Sequence, residues 1–193
     1  MSKTEITTYC PDSKKAWRKW LMKNHETEQS VWLICYKISS GIPSISWSDA
    51  VDEALCFGWI DSVRRPIDNE KFMQFFSKRK PKGTWSKINK DKIEQLIAAG
   101  LMMPAGLDSI EKAKQNGSWT ILDEVEALII PKDLEKAFKN HPGSKDFYLS
   151  LSKSIKKQIL HWLMTAKQTD TRQKRIAEIV ESAAQNLKPE RYR

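Results

Sequence analysis

Three cysteines in 193 residues, Cys10, Cys35 and Cys56, are too few and too widely spaced for a disulfide framework or a CxxC zinc knuckle. Their odd number fits a reducing compartment. Histidine is equally scarce, and His25, His141 and His161 stand apart from one another and from any cysteine or carboxylate at ligand spacing. No metal site is expected, because transition-metal sites need several clustered nitrogen, sulfur or oxygen ligands. The seven glycines form neither a P-loop nor a GxGxxG turn, and GxSxG, HExxH and EF-hand patterns are also missing. The commonest nucleotide, dinucleotide, hydrolase and calcium chemistries are thereby removed, and no cofactor is expected. No stretch approaches eighteen apolar residues, and Met1–Glu5 opens no apolar export segment, so the sequence reads as a soluble, cytoplasmic protein.

What is present is tryptophan, eight times, and a net charge of +9. Hydrophobic residues at 40% and charged residues at 30% are a globular balance, sufficient for one large domain or two small ones. The charge is uneven. Residues 1–77 hold ten basic and ten acidic groups, Lys78–Lys92 hold seven against one, and 153–193 hold ten against four. Such polarity offers a basic surface to an anionic ligand or partner, or equally a solvated lysine-rich face.

Periodicity and punctuation divide the chain. Asp12 and Ser13 cap a helix carrying Trp17, Trp20 and Leu21, and Val31–Tyr36 is a short apolar run of β-formers that reads as a buried strand. Ser46 caps a second helix whose inward stripe is Trp47, Val51, Ala54 and Leu55, stopped by Gly58. Trp59–Arg65 and Lys71–Ser77 form two strands around a Pro66–Glu70 turn, with Trp59, Asp61 and Val63 on one face. Beyond Gly83 the pattern is helical: Asn89–Ala99, Pro104–Asn116, a short helix after Pro131, Ser154–Lys167 and Thr171–Leu187. The prediction is an α+β protein. Residues 1–80 hold a small antiparallel three-stranded sheet with two helices, and residues 81–193 form an all-helical part packed closely against it.

Within this frame few residues suggest chemistry. Cys56 reads as a small buried hydrophobe rather than a nucleophile. The basic connector Lys78–Lys82, followed by Trp85, has cations for phosphates and an aromatic for stacking, which makes nucleic acid a weak candidate partner. Trp85 and Trp119 stand beside Gly83 and Gly117, where an indole can cover a groove. A second cluster, Lys167, Arg172, Lys174 and Arg175, sits at a helix start, where cations meet the positive end of the dipole and need something negative. Arg172 lies in phase with the apolar stripe Ile176, Ile179, Val180 and Ala183. An internal partner, Asp61, would satisfy both charges as a two-pronged pair. The alternative is a bound anion on the helix N-terminus with Arg172 and Arg175.

Taken in order, Ala54–Ser62, Trp85–Asn89, Gly100–Gly106, Ala113-Lys114 with Gly117–Trp119, and Ala166-Lys167 with Thr171-Arg172 and Arg175-Ile176 resemble the YdeI/OmpD-associated, or bacteriocin-protection, family. The chain departs from the pattern at Lys78, Gly83, Thr169 and Asp170. The resemblance implies a bacterial protein tied to antimicrobial or envelope stress and carries no catalytic residues across. The resulting expectation is a non-enzymatic protein that binds an anionic ligand or partner through Arg79, Trp85, Trp119, Lys167, Arg172 and Arg175. The competing expectation is an enzyme on a small anionic substrate, with Asp61 as acid or base and Arg64, Arg79 or Arg172 holding the anion.

Overall fold

Ser13, Ser46 and Ser86 each precede a helix, and each hydroxyl accepts a backbone N–H from the first turn, a cap of about 1 kcal/mol. The helices they start are α1 (Lys14–Asn24), α2 (Trp47–Cys56) and α3 (Lys87–Ala98). The computed structural model describes residues 7–193, so Met1–Glu5, read above for an export signal, lie outside the described residues.

The sheet has four strands, not three. β1 (Thr8–Tyr9), β2 (Ser30–Tyr36), β3 (Trp59–Pro66) and β4 (Lys71–Lys78) are ordered β1-β2-β4-β3. β4 runs antiparallel to both neighbours, and β1 pairs in parallel with β2 through Thr8 opposite Trp32. Two residues carry no readable period, which is why the sequence hides β1. The β2 run alternates rather than being buried throughout: Val31, Leu33 and Cys35 point into the core while Trp32, Ile34 and Tyr36 are half-buried on the opposite side. On β3 the register shifts between Asp61 and Arg64, so the expected common face of Trp59, Asp61 and Val63 is broken, with Trp59 buried and Val63 exposed. An extra residue in one strand re-aims every side chain beyond it.

Contacts divide the chain into two compact units, one ending at Thr120 and the other Ile121–Arg193. In the first, Trp17, Leu21, Leu33, Leu55, Trp59, Phe76 and Trp85 belong to one core. Trp17 Nε1 donates to Ala50 O at 3.1 Å, tying α1 to α2, and the buried Glu53 carboxylate on α2 takes Arg18 at 2.6 Å. Trp47, expected inward, is 46% exposed. The boundary expected near residue 80 lies forty residues later, because the connector is bonded into the first unit. Arg79 N–H donates to Gly58 O, and Pro81 O accepts from Asn116 Nδ2 and Ser118 Oγ.

α4 (Pro104–Gln115) meets α2 through backbone. Met103 N–H donates to Cys56 O at 3.0 Å, and a β-carbon on Gly106 would stand 2.2 Å from that same oxygen. Gly58 has φ +73°, a left-handed conformation, and a β-carbon there would lie 2.9 Å from Ala105 O.

The second unit is all-helical: α5 (Asp123–Glu126), α6 (Lys132–Lys139), α7 (Ser144–Ser150), α8 (Lys153–Met164) and α9 (Thr169–Ala184). Its own core includes Leu134, Phe138, Tyr148, Ile159, Leu163, Ile176 and Ile179. α5 and α7 are too short to announce themselves by period. Among the described residues no helix is long and apolar enough to cross a membrane.

Gly106→Ala is expected to destabilise the first unit by about 1–3 kcal/mol, since the added methyl meets backbone and not a yielding side chain. A lowered urea midpoint followed by tryptophan emission checks this, and an unchanged midpoint would show that the α2–α4 approach is not tight.

Candidate functional site

At the end of β4 the chain turns out of the sheet at Arg79, whose N–H is held by Gly58 O at 2.9 Å. Its guanidinium carbon lies 3.5 Å from the ring centre of Trp85, and Nη1 donates to Thr84 O at 3.2 Å. The other two nitrogens, Nε and Nη2, are closed to solvent and have no hydrogen-bond partner. Trp59 Nε1, on an indole with no exposed surface, is in the same condition. Buried donors left unmatched cost about 1–3 kcal/mol each, so three of them on two residues call for an explanation.

Arg79, Trp59 and Trp85 line a cavity of about 370 Å³, closed by His25, Phe57 and Gly58 and by the α4 residues Ala105, Asp108, Ser109 and Lys112. Lys78 and Lys80 add charge at its rim, with Glu26 opposing them. Burial pushes the Arg79 guanidinium down to about 10, with the charge of Asp61 working against that fall. His25 Nδ1 lies 2.9 Å from Leu21 O, an acceptor only, so that nitrogen carries a proton.

The sequence-named ligand residues separate by unit. Arg79, Trp85 and Trp119 come together in the first, with the Trp85 and Trp119 ring centres 5.0 Å apart. Trp85 is part of the core as well as of the cavity wall, and Trp119 backs it, with the ammonium groups of Lys90 and Lys114 over its ring. Sequence reasoning missed His25 and the free N–H of Trp59. The indole's place in an apolar-periodic strand reads as core, and nothing in that pattern reveals an unmatched nitrogen.

In the second unit Lys167 is exposed, and Arg172 and Arg175 are engaged within the fold. Arg172 presents Nε and Nη2 to the two oxygens of Asp133 at 2.5 and 3.0 Å, and Nη1 to Leu163 O at 3.2 Å. Arg175 donates to Trp162 O and to Thr165 Oγ1 and lies over the Trp162 ring. The compensating negative groups are therefore Asp133 and the C-terminal carbonyls of α8, the negative end of that helix's dipole. This corrects the expected partner. Asp61 accepts instead from Trp47 Nε1 at 3.0 Å and Gln74 Nε2 at 3.3 Å. The Arg172–Asp133 pair joins residues 39 apart in sequence, a separation that helical periodicity does not reach.

Cys35 and Cys56 are buried, and burial raises both thiols above their ordinary range, Cys35 to about 11. A thiol held protonated is a poor nucleophile, and Cys10 is the exposed one. Among the described residues no group of three or more histidine, cysteine or acidic side chains is placed to hold a metal ion.

Residues 9–109, just over half of the chain and nearly all of the cavity lining, match the family described as domain of unknown function DUF8412. The chain belongs to that family. Residues 127–186 match a second family model, described as bacteriocin-protection, YdeI or OmpD-associated. The blocks Ala54–Ser62, Trp85–Asn89 and Gly100–Gly106 thus fall in the first match and Ala166–Ile176 in the second. No match is found among curated proteins or among solved structures.

The Arg172 bond holds the Asp133 carboxyl below the usual carboxylate range, so the pair's contribution is complete above about pH 4 and is lost as pH falls through the lowered value. Asp133→Asn is expected to cost about 1–2 kcal/mol at neutral pH and less at pH 3. Urea midpoints at the two pH values check it, and an equal loss at both would contradict the pairing. A thiol reagent on the native protein is expected to label Cys10 rapidly and the other two only on unfolding.

Proposed function

We propose that the chain is a non-enzymatic binding protein of the bacterial cytoplasm that takes a small anionic ligand into the Arg79 cavity, in the service of protection against bacteriocins or other envelope stress. The observation that carries the binding half is the set of unmatched donors, Arg79 Nε and Nη2 with Trp59 Nε1, on two residues that line a cavity of about 370 Å³. Ligand pockets are of about this size and combine an apolar lining with a few convergent polar groups. A buried guanidinium favours an anion over a neutral guest, because the alternative is an uncompensated charge in a poorly solvated site. The protective half rests on the match of residues 127–186 to the bacteriocin-protection, YdeI or OmpD-associated family.

The enzyme alternative draws less support. Asp61 is not among the residues lining the Arg79 cavity, and its Oδ2 accepts from Trp47 and Gln74 within the sheet and its neighbouring helix. A general acid or base needs reach to a reacting group.

Tryptophan emission titrated with carboxylate, phosphate and sulfate ester probes is expected to show saturable binding of at least one class, weakening as ionic strength rises. In cells, a strain lacking the gene is expected to become more sensitive to bacteriocin, and an Arg79→Met copy to restore resistance poorly. Absence of binding by every anion, or full rescue by Arg79→Met, would remove the proposal.

A further inference from the structure

Two partly buried arginines of this chain, Arg172 and Arg79, present the same chemical edge in opposite states. In Arg172 the side-on pair Nε and Nη2 is filled by both oxygens of a carboxylate, Asp133. In Arg79 the same pair is empty of partners, while Nη1 is spent on Thr84 O. Two coplanar N–H groups at fixed separation match two coplanar oxygens, and the protein itself supplies the filled example.

Charge narrows the guest further. Of the cations around the cavity, Lys78 Nζ donates to Glu26 O at 2.8 Å and Lys112 is paired with Asp108 at 2.6 Å, both on the exposed rim, and Lys80 is exposed. Arg79 is the buried positive charge. One such charge balances a carboxylate at −1, whereas a phosphomonoester at about −1.5 to −2 would leave excess negative charge in a site already felt by Asp61. Phe57, Trp59, Trp85, Pro81 and Ala105 supply the apolar part of a mixed lining that also holds His25 and Ser109.

We infer that the Arg79 cavity is a site for an organic monocarboxylate with an apolar body, its two oxygens on the Nε–Nη2 edge of Arg79, with Trp59 Nε1, unmatched on a residue of the same lining, as a further donor. This rests on the anion-binding reading above and specifies its ligand class. Because the donor atoms are closed to solvent, seating a carboxylate turns the guanidinium toward the cavity and alters its 3.5 Å stack on Trp85. Tryptophan emission reports that movement.

The test is a titration of the whole chain with benzoate, phenyl phosphate and benzamide at matched ionic strength, read by emission and by calorimetry. Benzoate is expected to bind saturably and about tenfold or more tighter than phenyl phosphate, with benzamide weaker still. Arg79→Met is expected to weaken benzoate by about tenfold or more, and Trp59→Phe, which keeps the ring and removes the N–H, by about three- to tenfold. Should Arg79→Met fail to fold by circular dichroism, Trp59→Phe decides. Phenyl phosphate binding as tightly as benzoate would overturn the carboxylate assignment and leave an anion site standing. Benzamide binding as tightly as benzoate, or no binding by any of the three, would overturn both.

Discussion

The close approach of backbone to backbone at Cys56, Gly58, Ala105 and Gly106 sets the rest of the first unit. Without β-carbons at Gly58 and Gly106 the end of α2 and the start of α4 come into direct contact, with Met103 bonded to Cys56 across the joint. That contact stands one wall of the cavity, the α4 face bearing Ala105, Asp108, Ser109 and Lys112, opposite the ends of β3 and β4. Gly58 O also holds the Arg79 N–H, so the same turn that permits the helix contact positions the cavity's cation. A bulkier residue at either glycine would push α4 outward and take the wall with it.

Buried or half-buried charge is handled in contrasting ways along the chain. Glu53 is matched by Arg18, and Arg172 is matched by Asp133 and a helix-end carbonyl. Each pairing recovers the desolvation cost of its ions through direct hydrogen bonds. Arg79 has a stacked ring, one carbonyl and an unfilled edge. Arg79 departs from that rule, as does the indole N–H of Trp59 in the same cavity lining, and this departure is what motivates the proposed ligand site.

Local chemistry made much of the fold legible. The caps at Ser13 and Ser46, the stop at Gly58, Pro104 at the first position of α4 and the Pro66–Glu70 turn are decided by neighbours within a few residues, and each appears where its chemistry places it. Trp47 shows the limit of the same reasoning. Its place on the helical stripe is in phase with Val51 and Leu55, yet it is half-exposed because its indole reaches Asp61 at the helix's beginning. β1 was hidden because a two-residue strand exists only by pairing with β2. The position of the unit boundary was hidden because the basic connector looks like a linker in composition but is bonded on both sides.

By itself the sequence determined the α+β class, the capped starts of α1 and α2, the stop at Gly58, the basic stretch ending β4 and the kinship of the Ala166–Ile176 block, since these depend on short-range periodicity, turn chemistry and residue identity. Only the tertiary structure decided that Arg172 belongs to Asp133, that Arg79 and Trp59 share a cavity with donors unspent, and that residues 81–120 complete the sheet-bearing unit. Partners distant in sequence are chosen by packing, and whether a buried nitrogen is satisfied is a property of the space around it, which no pattern along the chain encodes.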